Sequence, residues 1–316
     1  MEFVRWNDEC PYAAQTTVIT LGYFDGLHQG HRALMEKTRQ LADECGAMAV
    51  VMSFEPHPSH VLPNLQPVPI IYGMEEKRWI LRETGLVDRM AIMSFEPDLM
   101  NMEPETFVEE LLIKGWRAVG IVVGDDFRFG RKNRGDAKLL RQLCEKAKIR
   151  CEIVREVDDE GRRVSSTRIR EVLVQGHMEE ANRLLGRPYM MLGSVSHGKG
   201  LGHRALIPTV NLKLSEGRQY PLCGVYITRT FTEDGSYKSV SNIGHNPTVG
   251  DDISLRCETH LLEFDEDMYG KEVRVEFYHY LRPEHKFNSM EELREQQMLD
   301  IQNVRKYFAE EMGYEE

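Results

Sequence analysis

Two rhythms of apolar and polar positions divide the chain. From residue 16 to about 156, short apolar runs alternate with longer stretches whose apolar residues recur every three or four positions. The first kind reads as buried strand and the second as amphipathic helix. Residues 17–21 predict a strand, and residues 29–45 a helix with Leu34, Thr38, Leu41 and Cys45 on one face. Residues 47–54, 90–95, 119–123 and 151–154 predict further strands, and residues 75–83, 106–115 and 136–148 further helices. This alternation predicts an α/β fold class, a doubly wound parallel sheet covered on both faces. Such sheets bind ligands at the carboxyl ends of their strands, so the loops after the strands are the candidate site.

Beyond about residue 186 the period shortens to two. Val273, Val275 and Phe277 alternate with Glu272, Arg274 and Glu276. Runs at residues 190–196, 209–214, 224–231, 239–243 and 255–264, separated by Gly, Pro and Asp, predict a small antiparallel β-barrel. A C-terminal helix closes the chain. Ser289 and Glu292 have the spacing of a capping box, and Leu293, Ile301, Val304 and Phe308 fall close to one stripe. Gly186 and Pro188 end the preceding helix, which places the expected domains at residues 1–185 and 186–316.

Composition narrows the function classes. A chain of 316 residues, 41% hydrophobic and 29% charged, suits two globular domains. No apolar run approaches the ~18 residues of a membrane helix. Met1, Glu2 and Trp6 stand where a secretory leader has a basic start and an apolar run. Six cysteines without a Cys-x-x-Cys pair form neither a disulfide framework nor a zinc motif, so the cytoplasm is the expected location. A net charge of −11 excludes a generic nucleic-acid coat but leaves room for a pocket holding one small anion. The expected partners are small molecules, with no nucleic acid and no membrane; the pattern sets no oligomeric state.

The loop after the first strand carries the strongest signal. Gly22, Gly26 and Gly30 permit close backbone approach, and the helix that follows points free amides at an anion. His28 and His31, three residues apart, can face one phosphate and donate to charge building on it. The bland alternative is a glycine-rich turn with two surface histidines. Ser165, Ser166, Thr167, Arg168 and Arg170 open a later helix and suit a triphosphate, or simply cap it. Gly124, Asp126, Phe127, Arg128 and Gly130 follow another strand and can hold a planar ring; Phe54, His57 and Pro58 can form an aromatic wall. Each is equally readable as an ordinary loop.

In the second half, Gly198, Lys199 and Gly200 offer a phosphate cradle or a plain hairpin loop. Thr209 and Asn211, two apart on a strand, share a face and supply hard oxygen ligands for Mg²⁺. Glu258 lies in a β-run, as a base for an alcohol or as a solvent-facing carboxylate.

Taken in order, these motifs resemble the prokaryotic bifunctional riboflavin kinase and FMN adenylyltransferase (FAD synthetase) family, from about residue 15 onward. Residues 22–31 resemble the nucleotidylyltransferase signature. Arg187-Pro188-Tyr189, Asn242-Ile243-Gly244, Glu258-Thr259-His260 and Leu281-Arg282-Pro283-Glu284 resemble the flavokinase module. The resemblance implies that His28 and His31 stabilise the α-phosphate transition state, with Phe24, Asp25 and Gly26 at the adenine nucleotide. It implies that Ser165, Ser166, Thr167 and Arg170 hold the outer phosphates, and that Phe54, His57, Pro58, Asp126, Phe127 and Arg128 line an FMN site. It matches Thr209 and Asn211 to Mg²⁺–ATP and Glu258 to the catalytic base. The implied substrates and products are ATP, riboflavin, FMN and FAD. His203, Leu206 and Ile207 depart from the family pattern beside the kinase loops. The competing readings are an adenylyltransferase for another phosphate substrate, and a flavin-binding regulator with an inactive kinase barrel.

Overall fold

The computed structural model describes residues 1–5, 15–61, 66–196, 209–247, 253–264, 266 and 268–310. Gly198, Lys199, Gly200 and the departures at His203, Leu206 and Ile207 lie outside the described residues. The chain forms two compact units, Met1–Ser166 and Thr167–Glu316.

The first unit is built on six parallel strands: β1 (Glu2–Arg5), β2 (Thr17–Leu21), β3 (Met48–Glu55), β4 (Arg89–Ser94), β5 (Ala118–Gly124) and β6 (Arg150–Val154). They lie in the order β1-β4-β3-β2-β5-β6. Period-two alternation divides the apolar residues between the two faces. Val18, Ala49 and Val122 pack under Leu41 and Ala42 of α1 (Gln29–Cys45). Ile19, Val50, Met52, Ile121 and Val123 pack on the other face with Leu111 and Leu112 of a π-helical stretch, Phe107–Gly115, and with Leu140 of a later helix. Helix α2 (Met74–Thr84) precedes β4, and α3 (Ala137–Ala147) precedes β6. The doubly wound expectation holds. Edge strand β1 is an addition to it, since four residues bounded by exposed Glu2 and Arg5 carry no legible period.

Strand β2 is the pivot. Its two neighbours, β3 and β5, belong to runs of the chain that proceed in opposite directions across the sheet. The crevice at its carboxyl end is therefore the topological switch point, the usual ligand site of such sheets.

The second unit begins with α4 (Ser166–Val174, from Thr167 onward) and α5 (Met178–Leu185). Six antiparallel strands follow: β7 (Tyr189–Ser194), β8 (Thr209–Lys213), β9 (Gly224–Phe231), β10 (Ser236–Pro247), β11 (Ile253–Leu261) and β12 (Glu272–Arg282). Their order is β7-β12-β9-β10-β11-β8. Ser196, just past β7, donates its N–H to the Asn211 carbonyl at 2.9 Å, which brings the two sheet edges together as a nearly closed barrel.

One face of these strands is the barrel interior, where Thr228, Ser239, Ser241 and Thr259 are fully buried and linked by hydroxyl hydrogen bonds of 2.7–2.8 Å. The opposite face is covered by α6 (Met290–Glu310), whose Val304 and Phe308 pack on Ile227, Leu262 and Tyr278. Ser289 caps α6 by accepting from the Glu292 N–H at 3.1 Å. The Glu292 carboxylate reaches the Asn288 N–H at 2.8 Å, one residue earlier than a reciprocal box requires.

Helix α5 packs with the barrel. Asn182 donates to the Phe277 carbonyl at 2.8 Å and accepts from the Tyr189 N–H at 2.7 Å. The change of texture at residues 185–188 marks the entry to β7, whereas the compact units divide at Ser166 and Thr167.

Candidate active sites

The loop after β2 is a buried structure rather than a surface turn. Phe24, Asp25, Leu27 and His28 are all buried, and Phe24, Gly26 and Leu27 have positive φ of 51, 80 and 44°. Two non-glycine residues in that region persist only where surrounding contacts hold them. Those contacts are explicit. The Asp25 carboxylate accepts from the N–H groups of Ile71 and Tyr72 at 2.9 and 3.4 Å. The Tyr23 carbonyl accepts from Ser53 Oγ at 3.1 Å and from Lys77 Nζ at 3.1 Å. Burial pushes the Lys77 ammonium below its ordinary pKa, against the opposing pull of Asp25 and Glu55.

His28 stands before α1 rather than in its first turn. It is the N-cap, and its Nδ1 accepts from the His31 N–H at 3.3 Å. An accepting Nδ1 puts the proton of a neutral imidazole on Nε2, which makes that nitrogen a donor. The His28 and His31 rings stack with centroids 3.7 Å apart, and Phe24 packs on His31 at 5.1 Å. Gly30 makes room for the stack, because a Cβ there would lie 3.1 Å from His28 Cε1. Gly22 is half-buried, with the Phe24 ring at 3.4 Å from the place of a Cβ.

Ser165 and Ser166 join this loop, since Ser166 Oγ donates to the Asp25 carbonyl at 2.9 Å. Thr167 and Arg170 belong to the second unit. There Thr167 is exposed, Arg170 half-buried, and the neighbouring Arg168 buried in an ion pair with Glu180 at 2.7 Å.

Phe54 and His57, two of the residues expected to form an aromatic wall, lie beside Tyr23. Tyr23 lies between Phe54 and His57, with centroids at 5.7 and 4.5 Å. His57 Nδ1 shares a 2.8 Å hydrogen bond with Ser59 Oγ. Pro58 opens a short 3₁₀ turn, Pro58–His60. The β5 loop is less uniform. Phe127 stacks on Phe129 at the edge of the core, while Asp126 pairs with Arg163 and Arg128 with Asp136.

In the barrel, strand register does the assembling. Asn211 on β8 pairs with Glu258 on β11, which pairs with Asn242 on β10. Direct antiparallel partners put their side chains on one face. Thr209 pairs with His260 in the same ladder. Glu258, Asn242 and His260 line a cavity of about 230 Å³ that Arg282, Glu284 and α6 complete. The Arg282 guanidinium grips Asp300 of α6 at 3.0 and 2.7 Å. Asn242 donates to Glu284 at 3.1 Å, and Gly244 permits this approach, since a side chain there would collide with the Glu284 carboxylate. Burial pushes the Cys257 thiol up to about 12, which leaves it a poor nucleophile beside Glu258.

Among the described residues no cluster of three His, Cys, Asp or Glu side chains could hold a metal, the five described cysteines are free, and no helix is long and apolar enough to cross a membrane. Sequence reasoning missed Tyr23, Lys77, Arg163 and Asp300 as members of these sites.

Comparison with known proteins settles the kinship. The FAD synthetase family model matches residues 10–168, and the riboflavin kinase model matches residues 185–308. The chain belongs to the bifunctional riboflavin kinase/FMN adenylyltransferase family. It is 34% identical to the family's enzyme from Listeria monocytogenes over 92% of each chain. Identity to the Escherichia coli K12 enzyme is 32% over 98% of each chain. A solved structure from Streptococcus pneumoniae, described as a macrolide-efflux protein, is similar at a TM-score of 0.87 and 29% identity, over 96% of this chain and 99% of its own. As a member of this family the protein is an enzyme of flavin-nucleotide biosynthesis. Matches to both halves favour that reading over an adenylyltransferase for another phosphate and over a non-catalytic regulator.

Proposed function

We propose that residues 186–316, the barrel, phosphorylate riboflavin to FMN and that residues 1–185 adenylylate FMN to FAD. In the barrel, Glu258 takes the proton of the terminal ribityl hydroxyl as its oxygen attacks the γ-phosphorus of ATP, and ADP leaves. The cross-strand row of Asn211, Glu258 and Asn242, with Glu258 and Asn242 lining the cavity, carries this assignment. Gly198, Lys199 and Gly200 are assigned to ATP by motif alone.

Mg²⁺ fits the donor set. Asn211 is 6% exposed and shares its face with the base, and the amide oxygen of Asn211 and hydroxyl of Thr209 are hard ligands. When bound, Mg²⁺ neutralises charge on the transferred phosphate.

In the first unit a phosphate oxygen of FMN attacks the α-phosphorus of ATP, and pyrophosphate leaves. No proton must move in this step. His28, donating from Nε2, and His31 stabilise the charge on the pentavalent phosphorus. Asp25 holds its loop through backbone amides, so its part in the nucleotide pocket is to shape the loop that Phe24, Gly22, Gly26 and Gly30 complete. Ser165, Ser166, Thr167 and Arg170 are assigned to the outer phosphates. Tyr23, Phe54, His57, Pro58, Phe127, Asp126 and Arg128 are assigned to the flavin. The cytoplasm, where riboflavin and ATP are both available, is the proposed location. Incubation with riboflavin, ATP and Mg²⁺, followed by chromatography, tests the reading: FMN and then FAD accumulate if it is right.

A further inference from the structure

The turn between β2 and α1 holds Phe24 at φ 51° and Leu27 at φ 44°, conformations that are costly outside glycine. Its hydrogen bonds must over-determine it. Three of them reach it from nearby elements: Ser53 on β3 to the Tyr23 carbonyl, Ser166 to the Asp25 carbonyl, and Lys77 on α2 to the Tyr23 carbonyl. The Lys77 bond reaches the turn from the first turn of α2, at the end of a long side chain 3.1 Å from the Tyr23 carbonyl.

We infer that Lys77 is a positioning residue for adenylyl transfer: its ammonium, 3.1 Å from the Tyr23 carbonyl, fixes the turn that seats Phe24 against His31. The inference rests on the reading of the first unit as the adenylylation site. The path is short. Tyr23 precedes Phe24, Phe24 packs on His31 at 5.1 Å, and His31 stacks on His28 at 3.7 Å. A second tie runs from the same part of the chain, because the Ile71 and Tyr72 amides that hold the Asp25 carboxylate lie just before α2. The approach to α2 and its first turn thus clamp both sides of Phe24. The Asp25 and Glu55 carboxylates near the amine oppose the lowering of its pKa that burial imposes.

The test uses the full chain and Lys77→Met, which keeps the aliphatic stem and removes the donor. A misplacement of about 1 Å at a reacting group costs on the order of 100-fold. The expected result is a fall of about 10- to 100-fold in kcat for FMN adenylylation, with KM for FMN and the riboflavin kinase rate close to wild type. Lys77→Arg, which keeps a charged donor, recovers part of the loss. A merely structural lysine gives a lower melting temperature with an unchanged kcat per folded molecule, and that result overturns the inference. If Lys77→Met does not fold, Lys77→Gln is measured instead; wild-type kcat per folded molecule again overturns it, and a reduced kcat supports it. Wild-type protein that makes no FAD from FMN would remove the adenylylation reading itself, a separate outcome from wild-type kcat in the variants.

Discussion

Asn211 and Glu258 are direct partners across β8 and β11, so the residue assigned to Mg²⁺–ATP and the residue assigned as base leave the same face of the barrel. They stand 47 positions apart in sequence and are brought side by side by strand register. A slip of one residue in either strand would turn one of them into the barrel interior. On the interior face, Thr228, Ser239, Ser241 and Thr259 tie β9, β10 and β11 together by mutual hydrogen bonds.

Arg282 and Asp300 bolt α6 over the cavity. Asp300 is 3% exposed, so Arg282→Met leaves a buried carboxylate without its guanidinium partner. Breaking a buried pair from one side costs about 3–5 kcal/mol, and the partial exposure of Arg282 points to the low end of that range. Chemical denaturation of the variant should show a loss of about 3 kcal/mol in the second unit, together with weakened riboflavin binding.

His28 and His31 separate by stability. His28 is the N-cap of α1, and losing a cap costs about 1 kcal/mol. His28→Ala should therefore lower both FAD synthesis and the melting temperature. His31→Ala removes no cap and should lower synthesis with a smaller thermal shift. Differential scanning calorimetry of the two variants checks the order.

A fragment beginning at Thr167 should fold better than one beginning at Gly186. The shorter fragment lacks Asn182, which bridges the Phe277 carbonyl and the Tyr189 N–H, and the buried Met178, Ala181, Leu184 and Leu185 of α5. Urea titration of residues 167–316 and 186–316 should give a lower midpoint for the shorter one. Equal midpoints would show that α5 contributes nothing to the barrel.

What was legible in the sequence was local. Alternation marked all but one of the main strands, and glycine spacing with two histidines marked the loop after β2. The role of His28 as a cap was hidden, because its extended backbone depends on the buried turn before it. Lys77 sits in the run Glu75-Glu76-Lys77-Arg78, which reads as a solvated helix face until α2 is docked near Tyr23. Arg282 and Asp300 meet only because α6 folds back over the strands. For Lys77, Arg282 and Asp300 the missing information was tertiary: each side chain's partner came from a different element.

The central claim is that two separate sites perform the two steps, and Glu258→Gln and His31→Ala test it crosswise. Each variant is given riboflavin with ATP and Mg²⁺, and separately FMN with ATP and Mg²⁺, and the flavins are resolved by chromatography. Glu258→Gln should lose about 100- to 10,000-fold in FMN formation while converting supplied FMN to FAD at the wild-type rate. His31→Ala should form FMN normally and lose about 100- to 1,000-fold in FAD formation. A folded variant of either kind that loses both activities together, or keeps both, would contradict the account.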